Sequence, residues 1–358
     1  MQTEFKVLKA EHGDSILIKT YNLSDESFII LIDGGTSKTY TDFLKTELRS
    51  LKVIDLVVLT HIDADHIKGI LKFIESDLFA QIEIKQYWFN SKNIPFLFTG
   101  DSVSFGQAVS LETLLIANNE IARKWKNTII AEMHIILDEG INAEIISPTE
   151  EILETLYKNW PDLPNEYYKE TDDVTIAATS PSQIDKGSLR RLAEIPFQPD
   201  KSAIRDIFNS SSIAFVMRTP DMSLLLLGDA RPEIYVEGLK AHGYGIDNKL
   251  KVDYVKVSHH GSMNNTNVDL LDIIDCENYI VSTNGGMTSH RLPDRETIAR
   301  IIYNPERIKE GFVDRRTIYF NYPLEDIKAK AGVFVEDEDF EAGNWQILDN
   351  TDSFNNDQ

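Results

Sequence analysis

Cysteine is almost absent: Cys276 is the only one in 358 residues, so no intrachain disulfide can staple the fold and a reducing compartment is implied. It sits among Leu270, Leu271, Ile273 and Ile274, which makes it a core side chain rather than a nucleophile. Long apolar runs are absent as well. No stretch reaches the ~18 residues that a membrane-crossing helix needs. Met1-Gln2-Thr3-Glu4-Phe5-Lys6 has no apolar segment of a secretory leader, so the expectation is a cytoplasmic protein without membrane attachment. Basic residues are in deficit, 36 Lys and Arg against 58 Asp and Glu, for a net charge of −22. Residues 331–358 hold eight of the acids and no Lys or Arg, yet the remainder still carries −14, so the deficit is spread along the chain. A surface of that sign opposes a long polyanion and weighs against a nuclease without excluding one. What remains, 42% hydrophobic and 26% charged residues, is the composition of an ordinary globular core.

Histidine and aspartate, by contrast, are concentrated. Thr60-His61-Ile62-Asp63-Ala64-Asp65-His66 puts four metal-competent side chains into six residues, directly after the apolar run Leu56-Val57-Val58-Leu59. A strand that ends in such a loop presents imidazoles and carboxylates at a sheet edge, where two divalent cations can be held. His61 and Asp63 alternate and reach one ion, while Asp65 and His66 reach another. Three further apolar runs end in candidate partners: Leu224–Leu227 in Gly228-Asp229, Tyr254–Val257 in Ser258-His259-His260-Gly261-Ser262, and Tyr279–Ser282 in Thr283-Asn284-Gly285-Gly286 and then His290. Five of the eight histidines thus follow apolar strands, which scattered core or surface histidines rarely do.

With these motifs the chain resembles the metallo-β-lactamase superfamily, whose signature is a strand followed by H-x-H-x-D-H and later an Asp and a His. Gly13-Asp14-Ser15-Ile16-Leu17-Ile18 and Leu31-Ile32-Asp33-Gly34-Gly35 look like its first hairpin and its metal-facing Asp-Gly-Gly turn. Asp63 stands where the general pattern has a second His, and Asn209-Ser210-Ser211-Ser212 stands where it has a third-motif His. Both departures are similar to one branch, which includes the metallohydrolase domain of ComEC-type competence (DNA-uptake) channels and stand-alone bacterial relatives. The resemblance implies an α/β fold, a four-layer αββα sandwich over residues 1–335. Residues 90–137 are expected as a helical insertion, 161–205 as a long flap-like loop and 336–358 as an acidic tail. Trp345, Ile347 and Leu348 in that tail leave room for a short packed strand.

Local patterning agrees. Ile67, Ile70, Leu71 and Ile74 recur at i, i+3, i+4 and i+7, so the metal loop enters a helix whose first turn carries Asp65 and His66. Thr41–Leu51 reads as a helix, Gln86–Phe89 as a strand and Ala143–Ile146 as another, with Thr149 capping the helix that follows. Pro232 opens a helix that ends near Gly243, and Asp294–Tyr303 reads as a helix after Pro293. His134, between Met133 and Ile135, reads as a core or strand histidine, and His242 as exposed. Lys186, Arg190, Arg191, Lys201 and Arg205 form a basic subset before the Asn-Ser-Ser-Ser segment that either meets phosphate or is a solvated face.

The chemistry these residues imply is a binuclear hydrolase that works through a metal-bridging hydroxide, its ions bridged by Asp229. His61 and Asp63 are assigned to one ion, and Asp65, His66 and His259 to the other. His290 is either a ligand or a phosphate contact. His260 is the candidate proton donor or charge stabiliser, and the reverse assignment of His259 and His260 stays open. Asp14, Asp33, Asn209, Ser211, Ser212, Ser262 and Asn284 are candidates for orienting ligands or contacting substrate. Replacing an imidazole by Asp63 makes Mn²⁺ or Mg²⁺ admissible beside Zn²⁺. A phosphodiester, in nucleic acid or a nucleotide, is the favoured substrate. The alternatives are a carboxylic ester, thioester or amide, and a metal-binding regulatory component of a multi-protein bacterial defence system whose partner supplies the nucleic-acid grip.

Overall fold

Apolar alternation sorts side chains to the two faces of each central strand. Ile16, Ile18, Ile30 and Ile32 enter one buried cluster, and Leu17 and Leu31 between them enter another. Strands buried on both faces need this near-continuous apolar composition. A computed structural model describes residues 2–91, 124–126, 128–159, 181–286 and 291–355. Its first large sheet is built from β1 (Glu4–Val7), β2 (Ile16–Tyr21), β3 (Ser27–Ile32), β5 (Leu56–Leu59), β7 (Tyr87–Phe89), β8 (Trp125–Lys126) and β19 (Ser353–Phe354), in the order β19-β1-β2-β3-β5-β7-β8. The second contains β9 (His134–Asp138), β10 (Ile141–Ser147), β11 (Ala214–Arg218), β12 (Ser223–Leu226), β14 (Tyr254–Lys256), β16 (Asn278–Val281), β17 (Arg316–Phe320) and β18 (Trp345–Leu348), in the order β18-β17-β16-β14-β12-β11-β10-β9. Two short ribbons complete the set: β4 (Val53–Ile54) with β6 (Glu83–Ile84), and β13 (Leu250–Lys251) with β15 (Ile274–Asp275).

One apolar cluster, with Phe5, Val58, Phe215, Leu226 and Tyr254, lies between the two sheets. A second packs helices on the outer face of the first sheet, and a third packs helices on the outer face of the second. This is the four-layer αββα sandwich. β3, β5 and β7 run parallel, as do β12, β14, β16 and β17, so the loops that leave β3, β5, β12, β14 and β16 emerge at strand C-terminal ends. Those loops carry Asp33, His61–His66, Asp229, His259–His260 and Asn284.

Glycine decides how closely the metal loop packs. The helix Ala64–Ile74 lies directly on the turn after β3, where Gly34 N–H donates to the His66 carbonyl at 2.8 Å and Gly69 N–H to the Gly35 carbonyl at 2.9 Å. A Cβ on Gly69 would come within 1.8 Å of the Gly34 carbonyl oxygen, so only glycine permits the approach.

The acidic C-terminal segment contains the short packed strand for which Trp345, Ile347 and Leu348 left room, and a second strand follows it. β18 extends the second sheet beside β17, and β19 extends the first beside β1, because Trp345 and Phe354 bury their rings there, the indole N–H satisfied by the Asp339 carbonyl at 2.9 Å. The expected helical insertion falls mostly on residues outside the described ones, but β8 and β9 form strands within its bounds. His134 is an exposed residue of β9, and His242 bonds the Ile145 carbonyl at 2.9 Å. Of the expected flap, residues 181–205 are described and include the short helix Leu189–Ala193. Lys186 pairs with Glu296 at 2.9 Å.

Phe354 touches the rings of Phe5, Tyr254 and Tyr319 with centroids 5.2–5.6 Å apart. Phe354→Ala is expected to destabilise the chain by about 3–5 kcal/mol, read as a lower urea midpoint; a frayed tail would leave the midpoint unchanged.

Candidate metal centre

Asp33 ends β3 with a left-handed backbone, φ 56°, and its carboxylate accepts three hydrogen bonds: from Thr60 N–H at 2.8 Å, Thr60 Oγ1 at 2.7 Å and His66 Nδ1 at 2.8 Å. Because the Thr60 hydroxyl donates to Asp33, it accepts from His61 Nδ1 at 3.0 Å. His260 Nδ1 donates to the Ser282 carbonyl at 2.9 Å. The Asn265 side chain donates its amide to the Asp229 and Ala230 carbonyls at 3.0 and 3.2 Å, so its oxygen accepts from His259 Nδ1 at 3.1 Å. All four imidazoles therefore bond through Nδ1–H and direct Nε2 toward one another, so loss of an Nε2 proton, where one is held, leaves the tautomer a metal requires.

The presented atoms converge. Asp229 Oδ2 lies 3.9 Å from His61 Nε2, 3.4 Å from His66 Nε2, 3.5 Å from His260 Nε2 and 3.9 Å from His259 Nε2. His61 Nε2 is also 3.6 Å from Asp63, and His260 Nε2 is 3.8 Å from Asp65. His61 Nε2, His66 Nε2, His260 Nε2, Asp63 Oδ1 and Asp229 Oδ1 are buried without a hydrogen-bond partner. Buried polar atoms almost always have one, so five orphans around one point fit a divalent cation centre. Among the described residues four ligand sets are close enough to hold an ion: His61, His66 and Asp229; Asp65, His66 and His260; Asp14, Asp33 and His66; and Asp14, Asp229 and His260.

Backbone strain aims the second histidine pair. His259 has φ 46° and His260 φ 53°, both left-handed, followed by Gly261 at φ 87°. Successive left-handed residues with side chains are costly and are held here by the bonds just named. The turn buries His260 beside Asp65 and leaves His259 partly exposed, with 27% of its side chain open. His260, and not His259, lies in a group with Asp65 and His66 close enough to share an ion, which is the arrangement of the reverse assignment left open by the sequence.

The remaining candidates divide. Ser212 Oγ accepts from the Asp229 N–H at 3.2 Å and steadies that carboxylate. Asn209 is buried, donates to Asp206 at 3.0 Å, and keeps an unpartnered Oδ1. Ser211 donates to the Phe208 carbonyl at 2.6 Å, Ser262 accepts from the Asn264 N–H, and Asn284 Oδ1 accepts from the Gly286 N–H, so these three satisfy local turns. Asp14 lies 3.7 Å from His260 Nδ1. His290 lies outside the described residues. Sequence reasoning passed over Thr60, Lys256 and His12. Thr60 and Lys256 were visible as polar residues at buried strand ends, and His12 adjoins the flagged Gly13-Asp14.

Charge inside the cluster is strongly perturbed. Burial lowers the imidazolium affinity of His66, but Asp229, Asp33 and Asp65 outweigh it and hold His66 protonated well above its ordinary value. His260 is raised in the same way, against burial, by Asp229 and Asp14. Burial raises the Asp229 carboxyl, and His260, His66 and His259 more than reverse this, so it stays ionised well below the usual range. Burial wins at His259 and His12, whose imidazoles are lowered.

A metal must displace protons from His66 and His260, so divalent-cation affinity is expected to rise with pH above 6.5, where the metal-free imidazoles still hold them. Titration calorimetry in buffers of different ionisation enthalpy is expected to show one to two protons released per chain near neutrality; release of none would contradict the assigned charges.

The chain matches the metallo-beta-lactamase superfamily model over residues 9–285, more than half of its length. No curated protein matches it. Among solved structures it is similar to a diphosphatase of the PhnP family, at 10% identity over 99% of this chain and 97% of that one with a TM-score of 0.41. It is also similar to Tm1679, a metal-dependent hydrolase of the β-lactamase superfamily, at 11% identity over 99% and 98% with a TM-score of 0.40. Zn²⁺-bound PqqB from Methylobacterium extorquens is similar at 10% identity over 99% of each chain, TM-score 0.40. The motifs, the layered fold and the family match lead to one conclusion: this chain belongs to the metallo-β-lactamase superfamily of metal-dependent hydrolases.

Proposed function

We propose that the protein is a binuclear metal-dependent phosphodiesterase. The observation that carries the metal part is the convergence of imidazole Nε2 atoms and orphaned carboxylate oxygens on Asp229, each imidazole held by its own Nδ1 acceptor. His61 and Asp63 would hold one ion, Asp65, His66 and His260 the other, and Asp229 is placed to serve both. Carboxylates in three of these positions, Asp63, Asp65 and Asp229, make Mn²⁺ or Mg²⁺ suitable beside Zn²⁺. When bound, two such cations supply Lewis acidity and an activated water at neutral pH.

The chain's own residues do the rest. Asp33 and Thr60 lock two imidazoles in one tautomer, and Ser212 with Asn265 fixes the Asp229 segment. His259, lowered by burial and partly open at the rim, is placed to hold or deliver a proton to a leaving oxygen. Hard oxygen donors and the resemblance of the motifs to the competence-type branch support a phosphodiester. The net charge of −22 favours a nucleotide-sized substrate over a polymer unless a partner supplies the basic surface.

Metal content measured together with hydrolysis of bis-p-nitrophenyl phosphate tests the reading. Near two equivalents of metal are expected in the wild type, with kcat/KM at least about 100-fold lower in Asp229→Ala. Full metal without turnover on phosphodiesters, but with turnover of carboxylic esters or thioesters, would replace phosphorus by a carbonyl centre. Metal with no turnover of either would favour a regulatory component.

A further inference from the structure

A lysine lies buried between the two sheets directly beneath the metal ligands. Lys256 ends β14 between Val255 and Val257 and is 1% exposed. Tyr254, two residues earlier on the same face, belongs to the inter-sheet cluster, so Lys256 also points between the sheets. Its Nζ donates to Asp14 Oδ2 and, at 3.4 Å, to the Gly228 carbonyl. Asp14, Asp33, Thr60, Gly228 and Lys256 border an internal cavity of about 10 Å³, at most the space of one water. A charged side chain in so dry a place is costly unless paired, which points to a task.

The partners define that task. Asp14 belongs to the loop between β1 and β2 of the first sheet, and Gly228 immediately precedes Asp229 on the second. The Asp14 loop is in turn fixed to the metal loop. Gly13 touches the Asp65 backbone so closely that a Cβ would fall 1.8 Å from its carbonyl oxygen, and the Gly13 carbonyl accepts from Ser282 Oγ at 3.0 Å. His61, Asp63, Asp65 and His66 come from one sheet, and Asp229, His259 and His260 from the other. The path from Asp65 through Gly13 and Asp14 to Lys256, Gly228 and Asp229 joins the two halves by one close backbone contact, an ion pair and a hydrogen bond to the Gly228 carbonyl.

We infer that Lys256 is a positioning residue whose ion pair with Asp14 sets the spacing between the two halves of the metal site, and that Asp14 is its counter-charge rather than a metal ligand. Asp14 is near enough to Asp229 and His260, and to Asp33 and His66, to ligate an ion itself. The lysine ammonium takes the Oδ2 oxygen and balances the charge of the carboxylate, while Oδ1 stays buried without a hydrogen-bond partner 3.7 Å from His260 Nδ1. Removing one partner strands a buried charge, whereas neutralising both does not. The inference rests on the metal reading proposed above.

Lys256→Met, Asp14→Asn and the double variant separate positioning from mere stability, because the double variant removes the strut without stranding a charge. Two quantities are read for each and for wild type: thermal unfolding of the metal-free chain, and Mn²⁺ and Zn²⁺ affinity by titration calorimetry. Each single variant is expected to melt earlier and to bind metal roughly 10–100-fold more weakly. The double variant is expected to regain the melting midpoint and keep the weakened metal affinity. A double variant that regains both shows a structural pair only and overturns the inference. Wild-type affinity in either single variant overturns it as well. If the single variants do not fold, the double variant still decides. A wild type that binds no divalent cation instead overturns the metal reading, and this inference falls with it.

Discussion

The Asp33 carboxylate is the contact on which the site depends. In a dry interior it accepts two bonds from Thr60 and one from His66, and through the Thr60 hydroxyl it also fixes His61. One side chain thereby sets the tautomer of two imidazoles and the direction in which β5 delivers the metal loop. Its position requires the left-handed turn at the end of β3 and the glycine-to-glycine contact that lets the helix Ala64–Ile74 lie on that turn. The helix in turn places Asp65 and His66 in its first turn, where the chain direction is already fixed.

The second half of the site is held differently. Strained backbone at His259 and His260, rather than a helix, turns both rings toward Asp229, and Asn265 and the Ser282 carbonyl hold them there. The two halves face each other across the sandwich. Their like charges, Asp14, Asp33, Asp63, Asp65 and Asp229, would repel if nothing opposed them. The imidazoles oppose them within the cluster, and Lys256 does so beneath it. Outside the site the acidic surface persists, so any anionic substrate is drawn by the local centre and not by the protein at large.

Much of the fold was legible. Apolar runs of four residues leading into His, Asp or Gly marked β5, β12 and β14, although the sequence did not show that β5 lies in one sheet and β12 and β14 in the other. Helical periodicity after His66 and the proline at position 232 placed two helices to within a few residues. The acidic C-terminal segment was harder to read because its composition resembles a solvated tail, whereas two rings, Trp345 and Phe354, outweigh that composition once both sheets offer an edge. Metal-competent residues were recognised individually, yet the helpers Thr60 and Lys256 were not, since a single polar residue in an apolar run looks the same whether it is tolerated or required.

The sequence by itself determined the residue types of the centre, the strand and helix segments and the absence of disulfide stapling, because these follow from composition and from periodicities of two and 3.6 residues, while the layered architecture was expected from the family resemblance of its motifs. Only the tertiary structure distinguishes the surroundings of His259 and His260. Adjacent residues are equivalent in a sequence, and what separates them is the direction of a strained turn and the distance to Asp65, a residue nearly two hundred positions away. The pairing of Lys256 with Asp14 was likewise decided across 242 positions, by two sheets closing on one charge of each sign.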